Sequence, residues 1–170
     1  MLNVADKGEK HKLVLAVDPA PRGFGYVLME TPNEPLDWGV CEVRFQKNRR
    51  CFNKIKKMVL FYEPEVVVLE NCRGQGSRRH ERICRLINEV HRFLQIRGIK
   101  VFRYSRSDIQ NVFLQFGVKT KFGIAKLIGE RLPVLQRRVP PERKPWMCED
   151  ARMHIFNAVS LALTYYFLEE

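Results

Sequence analysis

The chain has 170 residues, with 30 Lys+Arg against 19 Asp+Glu and a formal charge of +11. That length suits one domain with a real core, and a hydrophobic share of 45% argues against a disordered chain. No apolar run approaches the ~20 residues needed to cross a bilayer, which excludes a membrane-spanning helix, and no membrane partner is expected.

Residues 1–11 are expected to form a flexible N-terminus, and no small-residue cleavage site follows their short apolar stretch, so no signal peptide is expected. Lys12–Asp18 is a nearly continuous apolar run of the kind found in buried central strands. After the turn-rich Pro19–Gly23, Phe24–Glu30 is extended, Pro32–Pro35 turns again, and Trp38–Phe45 offers a third strand. Together they predict an antiparallel meander. Arg49–Tyr62 carries Phe52, Ile55, Met58, Val59 and Tyr62 at helical spacing.

Pro64 opens Glu65–Glu70, the clearest buried strand, and a basic, glycine-containing loop follows over Asn71–Arg79. A long helix then presents Ile83, Leu86, Ile87, Val90, Phe93 and Leu94 on one side and ends near Gly98. Ile99–Tyr104 reads as a strand, and Ser107 or Asp108 as the cap of a helix running to Phe116. Gly117–Gly123 is a basic loop before a helix over Ile124–Leu132; Pro133–Pro145 is proline-rich, basic and without regular structure. A final helix runs from about Glu149 to Phe167. Residues 1–170 therefore read as a single α/β domain. A mixed central sheet has an antiparallel three-strand meander followed by alternating helices and strands, with helices on both faces.

Two acidic residues stand in unusual places. Asp18 closes one apolar strand and Glu70 another, and a buried carboxylate is costly without hydrogen bonds, a cation or a metal. If the two strands are neighbours, the pair converges, and oxygen ligands of that kind suit a hard divalent cation. On the last helix His154 and Asn157 are three residues apart, which brings both polar ends to one side. Asp150 lies on nearly the same face but too far along the axis, and Asp150 or Glu149 suits the helix N-terminus better.

The five cysteines (Cys41, Cys51, Cys72, Cys84, Cys148) are widely spaced and form no CxxC pair. They point to reduced thiols in an intracellular compartment, cytoplasmic or nucleoid-associated. The positive charge suits nucleic acid, through phosphate neutralisation and counterion release.

Leu15-Ala-Val-Asp18-Pro-Ala-Pro-Arg-Gly-Phe-Gly25-Tyr26 resembles the opening of the RuvC-type Holliday-junction resolvases, which show hydrophobic-Asp-Pro-x5-Gly-Tyr. Val66-Val-Val-Leu-Glu70 resembles their second acidic strand, and Tyr104-Ser-Arg-Ser through Gly117-Val-Lys-Thr-Lys121 their segment leading to a lysine-bearing loop. His154-Ile-Phe-Asn157 and the small and apolar residues after it resemble their final acidic helix. The resemblance covers about residues 13–167 and implies a ribonuclease H-like fold, which the element order also suits.

It further implies a homodimeric nuclease that cuts four-way DNA junctions by paired symmetric nicks leaving 5′-phosphates. Its cofactor would be Mg²⁺, with Mn²⁺ as a substitute, at two ions per site. Asp18, Glu70, His154 and Asn157 fall at the metal-ligand positions, and Lys119 and Lys121 lie where the family has its substrate-facing lysine, with Lys121 taken as the catalytic one; where the family normally carries Asp, this chain has Asn157. Arg22, Arg73, Arg78, Arg79, Lys119, Lys121 and Phe122 are the expected DNA contacts. A non-catalytic junction- or RNA-binding module of the same fold, and a nuclease acting on RNA-containing duplexes, are the alternatives.

Overall fold

A computed structural model describes residues 11–77 and 79–170. The expected flexible N-terminus lies almost wholly outside the described residues, as does Arg78. Strands β1 (Val14–Ala20), β2 (Gly23–Thr31) and β3 (Glu34–Glu42) pair antiparallel in succession, forming the expected meander. Helix α1 (Lys47–Tyr62) crosses to β4 (Val66–Glu70), parallel to β1, and α2 (Glu81–Ile96) leads to β5 (Lys100–Tyr104), parallel to β4. Helices α3 (Arg106–Leu114) and α4 (Lys121–Arg131), a 3-10 turn (Pro133–Arg138) and α5 (Met153–Glu169) follow. Among the described residues the strand order is β3-β2-β1-β4-β5, which puts β1 at the centre.

Strand parity divides the core. Val14 and Ala16 of β1, Val27 and Met29 of β2, and Val66 and Val68 of β4 pack with α3, α4 and α5 on one face. The alternate residues Leu15, Val17, Leu28, Val67 and Leu69 pack with α1 and α2 on the other. A central strand covered on both sides must be apolar throughout, which accounts for the unbroken run of β1. Helix α5 is apolar nearly all round because it lies against β1 and β2 with α3 and α4 beside it.

The boundaries differ from the sequence expectation at six points. First, β1 continues past Asp18 through Pro19 to Ala20, because the hairpin closes at the pair Ala20↔Gly23 with only Pro21 and Arg22 between. Next, β3 begins at Glu34 rather than Trp38: Pro32-Asn33 alone make the turn, and Pro35 is tolerated on an edge strand that needs fewer N–H donors.

The cap of α3 is Ser105, not Ser107 or Asp108. Its hydroxyl accepts from the Asp108 amide at 3.1 Å while the Asp108 carboxylate accepts from the Ser105 amide at 2.8 Å, a reciprocal capping box. Thr120 caps α4 through the Gly123 amide, so Lys121 stands on the first turn of a helix rather than in a loop. Finally, α5 starts at Met153, and Pro133–Arg138, expected to be irregular, is a 3-10 helix.

Candidate active site

Parity also decides where the acids point. Asp18 follows Val14 and Ala16, and Glu70 follows Val66 and Val68, so both face the α5 side. The parallel register pairs Val14 with Val66 and Ala16 with Val68; one further step of two brings Asp18 beside Glu70. Both are buried, at 1% and 7% exposure. Strand order thus creates the problem of two adjacent carboxylates out of water.

Helix α5 supplies part of the answer. Gly25 of β2 is the register partner of Asp18, and a Cβ there would lie 2.2 Å from the His154 backbone oxygen. The missing side chain lets α5 come down onto the sheet at this point. His154 Nδ1 then sits 3.0 Å from Asp18 Oδ2, and Asn157 Nδ2 donates to the same oxygen at 3.1 Å. Because an ionised carboxylate only accepts, that His154 nitrogen carries the proton.

Arg79 supplies the rest. Its Nη2 donates to Asp18 Oδ1 and its Nε to Glu70 Oε2, each at 2.6 Å, so one guanidinium bridges both acids. Burial on its own would raise the Asp18 carboxyl, but Arg79, His154 and Asn157 outweigh it and hold Asp18 below the usual carboxylate range. At Glu70 burial wins: with the Asp18 charge beside it, desolvation raises this carboxyl despite Arg79. The Asp18 charge, followed by that of Glu70, raises the Arg79 guanidinium against its own burial.

The loop that delivers Arg79 is anchored. The Asn71 amide donates to the Tyr104 carbonyl at 2.7 Å, the Ser107 amide to the Gln75 carbonyl at 3.2 Å, and the Arg106 amide to Ser77 Oγ at 3.3 Å. A Cβ on Gly74 would lie 2.4 Å from Ser105 Cβ, so glycine is what allows the loop to lie against the start of α3.

A cavity of about 260 Å³ opens above the acids, lined by Asp18, Glu70, Ser77, Arg79, Arg106, Lys121 and Asn157 among others. Lys121 reaches it while its ammonium pairs with Glu149 at 3.0 Å. His154 does not line it; it faces a separate cavity beside Arg22 and Phe24. Of the expected DNA contacts, Arg22, Arg73 and Lys119 are exposed, and Phe122 is half-buried. Arg79, expected on phosphate, is instead held between the two acids, and Arg78 lies outside the described residues.

The sequence reading missed Ser77 and Arg106 at the site and gave Glu149 only a capping role. Glu149 pairs with Lys121, and Arg106 enters the site only because Ser105 caps α3, a signal present in the Ser-x-x-Asp spacing.

Asp18 and Glu70 are the two carboxylates of the donor set. Asp18 Oδ1 and Glu70 Oε2 already converge on a single positive group, the guanidinium, which marks where a cation of this charge environment belongs. His154, the expected third ligand, has its Nδ1 bonded to Asp18 Oδ2 and does not line the cavity above the acids. Among the described residues, no group of three or more His, Cys, Asp or Glu side chains could hold a metal ion.

An RNase H-like architecture is what this sheet order, two neighbouring strand-borne acids and the helix above them define. No protein-family model matches the sequence, and no curated protein matches it. Among solved structures, Thermus thermophilus RuvC is similar with a TM-score of 0.66 and 16% identity, covering 91% of this chain and 93% of that one. RuvC from the same organism in complex with a Holliday junction substrate gives 0.65 and 17%, covering 92% and 94%. The yeast mitochondrial Holliday junction resolvase Ydc2 gives 0.61 and 13%, covering 91% and 78%. The chain has the RuvC fold over nearly its whole length.

Proposed function

We propose that the chain is a metal-dependent, structure-selective DNA endonuclease acting on four-way junctions, with its reaction centre between Asp18 and Glu70. The observation that carries this reading is the side-by-side burial of two carboxylates on adjacent parallel strands, sharing one cation, in a RuvC fold with a formal charge of +11. Asp18 and Glu70 would hold one Mg²⁺ or Mn²⁺, which when bound neutralises the scissile phosphate and acidifies the attacking water.

The protein groups divide the remaining work. Asp18, held low by Arg79, His154 and Asn157, stays ionised, and His154 fixes its orientation as a positioning residue. Glu70, the second carboxylate, would share that ion with Asp18, and the proton released by the attacking water passes to solvent. Water adds to phosphorus and the bond to the 3′ oxygen breaks, leaving a 3′-hydroxyl and a 5′-phosphate. Lys121 and Arg106, both lining the cavity, suit the departing oxygen and the non-bridging phosphate oxygens. Arg79 must leave at least one acid for a divalent ion to enter, so substrate phosphate is a natural new partner for its guanidinium. Paired nicks need two such sites, and the reading includes a homodimer.

A second reading is favoured by Arg79 and Asn157. If the guanidinium stays in place, the same surface binds junctions without cutting them. A labelled four-way junction incubated with protein and Mg²⁺ or Mn²⁺, beside Asp18→Asn, separates the two. Resolution by the wild type and none by the variant supports the nuclease. Salt-sensitive binding without cleavage supports the binding module. Comparison with RNA–DNA hybrid and RNA duplex substrates checks the substrate class.

A further inference from the structure

Tryptophan is an unusual residue to leave in water, yet Trp146 is 78% exposed. It is not on a loose chain. The Met147 amide donates to the Lys144 carbonyl at 3.0 Å, closing a turn whose central residues are Pro145 and Trp146. Proline at the first central position presets the backbone, so the indole is held out at the tip of a preorganised turn. Lys144 Nζ lies 5.4 Å from the ring centroid, and Arg137, Arg138 and Arg143 are exposed along the same stretch.

The turn adjoins the acidic site. Three residues after Trp146, Glu149 pairs with Lys121 at 3.0 Å, and Met147, Cys148 and Arg143 line a cavity of about 450 Å³ with Lys121 and Phe122. Lys121 lines both this cavity and the one above Asp18 and Glu70. Two of its acids are already neutralised, Glu149 by Lys121 and Asp150 by Arg152 at 2.7 Å, which lowers their repulsion of phosphate.

From this juxtaposition we infer that Trp146 is a stacking platform for an unpaired nucleobase, with the surrounding Lys and Arg side chains on the adjacent phosphates. An exposed aromatic among cations is what binds single strands irrespective of sequence, since every base has a π-face. In a branched substrate the exchange point is where base pairs lose a stacking neighbour and a base is most easily freed, and the platform would hold that region beside the acids. The inference rests on the nucleic-acid part of the proposed function but not on cleavage.

The chain has two tryptophans, and the other, Trp38, is partly buried against the core, so intrinsic fluorescence reads Trp146 selectively. The probes are a 12-nucleotide oligo-dT and a blunt duplex of equal length, titrated at low salt. The wild-type emission is expected to quench saturably with oligo-dT, and Trp146→Phe to lose most of that quench. Trp146→Ala is expected to bind oligo-dT about 5- to 150-fold more weakly, with a smaller loss on the duplex, which offers no free base face.

Oligo-dT binding by Trp146→Ala equal to that of the wild type, or saturation without any emission change, overturns the inference. In EDTA, with no divalent ion for cutting, the wild type should quench as it does with Mg²⁺, so quenching without cutting supports the platform independently of the chemistry, and a quench that needs the ion overturns it. A wild type that cuts junctions yet shows no quench overturns this inference alone. One that binds neither probe overturns it together with the nucleic-acid reading.

Discussion

Replacing Arg79 by Gln removes the only positive side chain that touches both Asp18 and Glu70, among the described residues. The acids are 1% and 7% exposed and the Arg79 side chain 18%, so solvent screens this triad little. Removing one partner of a buried ion pair typically costs about 3–5 kcal/mol. The lower end applies here, because the cavity admits water to one side of the acids and Asp18 keeps two hydrogen bonds from α5.

A loss of about 3 kcal/mol lowers the melting temperature of a chain this long by roughly 6–12 °C. The same vacated place then accepts a divalent cation, and a ligand at a hundred times its Kd returns about 2.7 kcal/mol. Thermal melts followed by circular dichroism, in EDTA and in rising Mn²⁺, measure both effects. Arg79→Gln should melt well below the wild type in EDTA and recover most of the difference with Mn²⁺, while the wild type shifts less. Equal melting in EDTA, or a variant indifferent to Mn²⁺, would show that the guanidinium does not stand at a cation site.

Further tests address other parts of the site. Gly25→Ala puts a methyl group 2.2 Å from the His154 carbonyl oxygen, backbone that cannot rotate away, so α5 must lift; a loss of about 3 kcal/mol in urea denaturation is expected, with junction cleavage falling more steeply than binding. Asn157→Asp exchanges an amide donor to Asp18 for a second negative charge. It should destabilise the chain in EDTA and tighten Mn²⁺ binding in calorimetry, and unchanged affinity would count against Asn157 lining the cation site. All five tyrosines ionise late. Tyr26, through burial first and Asp37 second, and Tyr62, through its hydrogen bond to Asp37, are pushed up to about 12, and Tyr104, Tyr165 and Tyr166 are also raised, chiefly by burial. A raised folded-state pKa stabilises fully below the unfolded value near 10 and loses that contribution as pH climbs through the folded value. Absorbance at 295 nm should therefore show little tyrosinate until about pH 11, then rise together with unfolding; early ionisation in the folded state would contradict the packing described.

The acids were legible because a carboxylate interrupts an apolar strand where nothing local asks for one. Their facing could not be read, because both strands are apolar on either side; only the packed sheet shows that Asp18 and Glu70 follow the residues facing α5. His154 and Asn157 followed from helical spacing on an otherwise apolar helix. What spacing could not give was direction: whether His154 aims at a cation or at Asp18 depends on how closely α5 approaches Gly25, a tertiary distance. Arg79 was harder still. It lies in an aperiodic loop, and its placement is fixed by bonds to Tyr104, Arg106 and Ser107, residues far along the chain. The two strand-boundary errors share one cause, in that Asp-Pro and Pro-Asn-Glu-Pro signal turns locally while sheet pairing extends β1 and β3 through them.

A crystal structure of the protein with four-way junction DNA and Mn²⁺, using Asp18 intact and a non-hydrolysable scissile phosphate, bears most directly on the proposed chemistry. Anomalous density is expected between Asp18 and Glu70, with the Arg79 guanidinium moved onto phosphate. A guanidinium still bridging both carboxylates, with junction bound and no anomalous peak there, would contradict it.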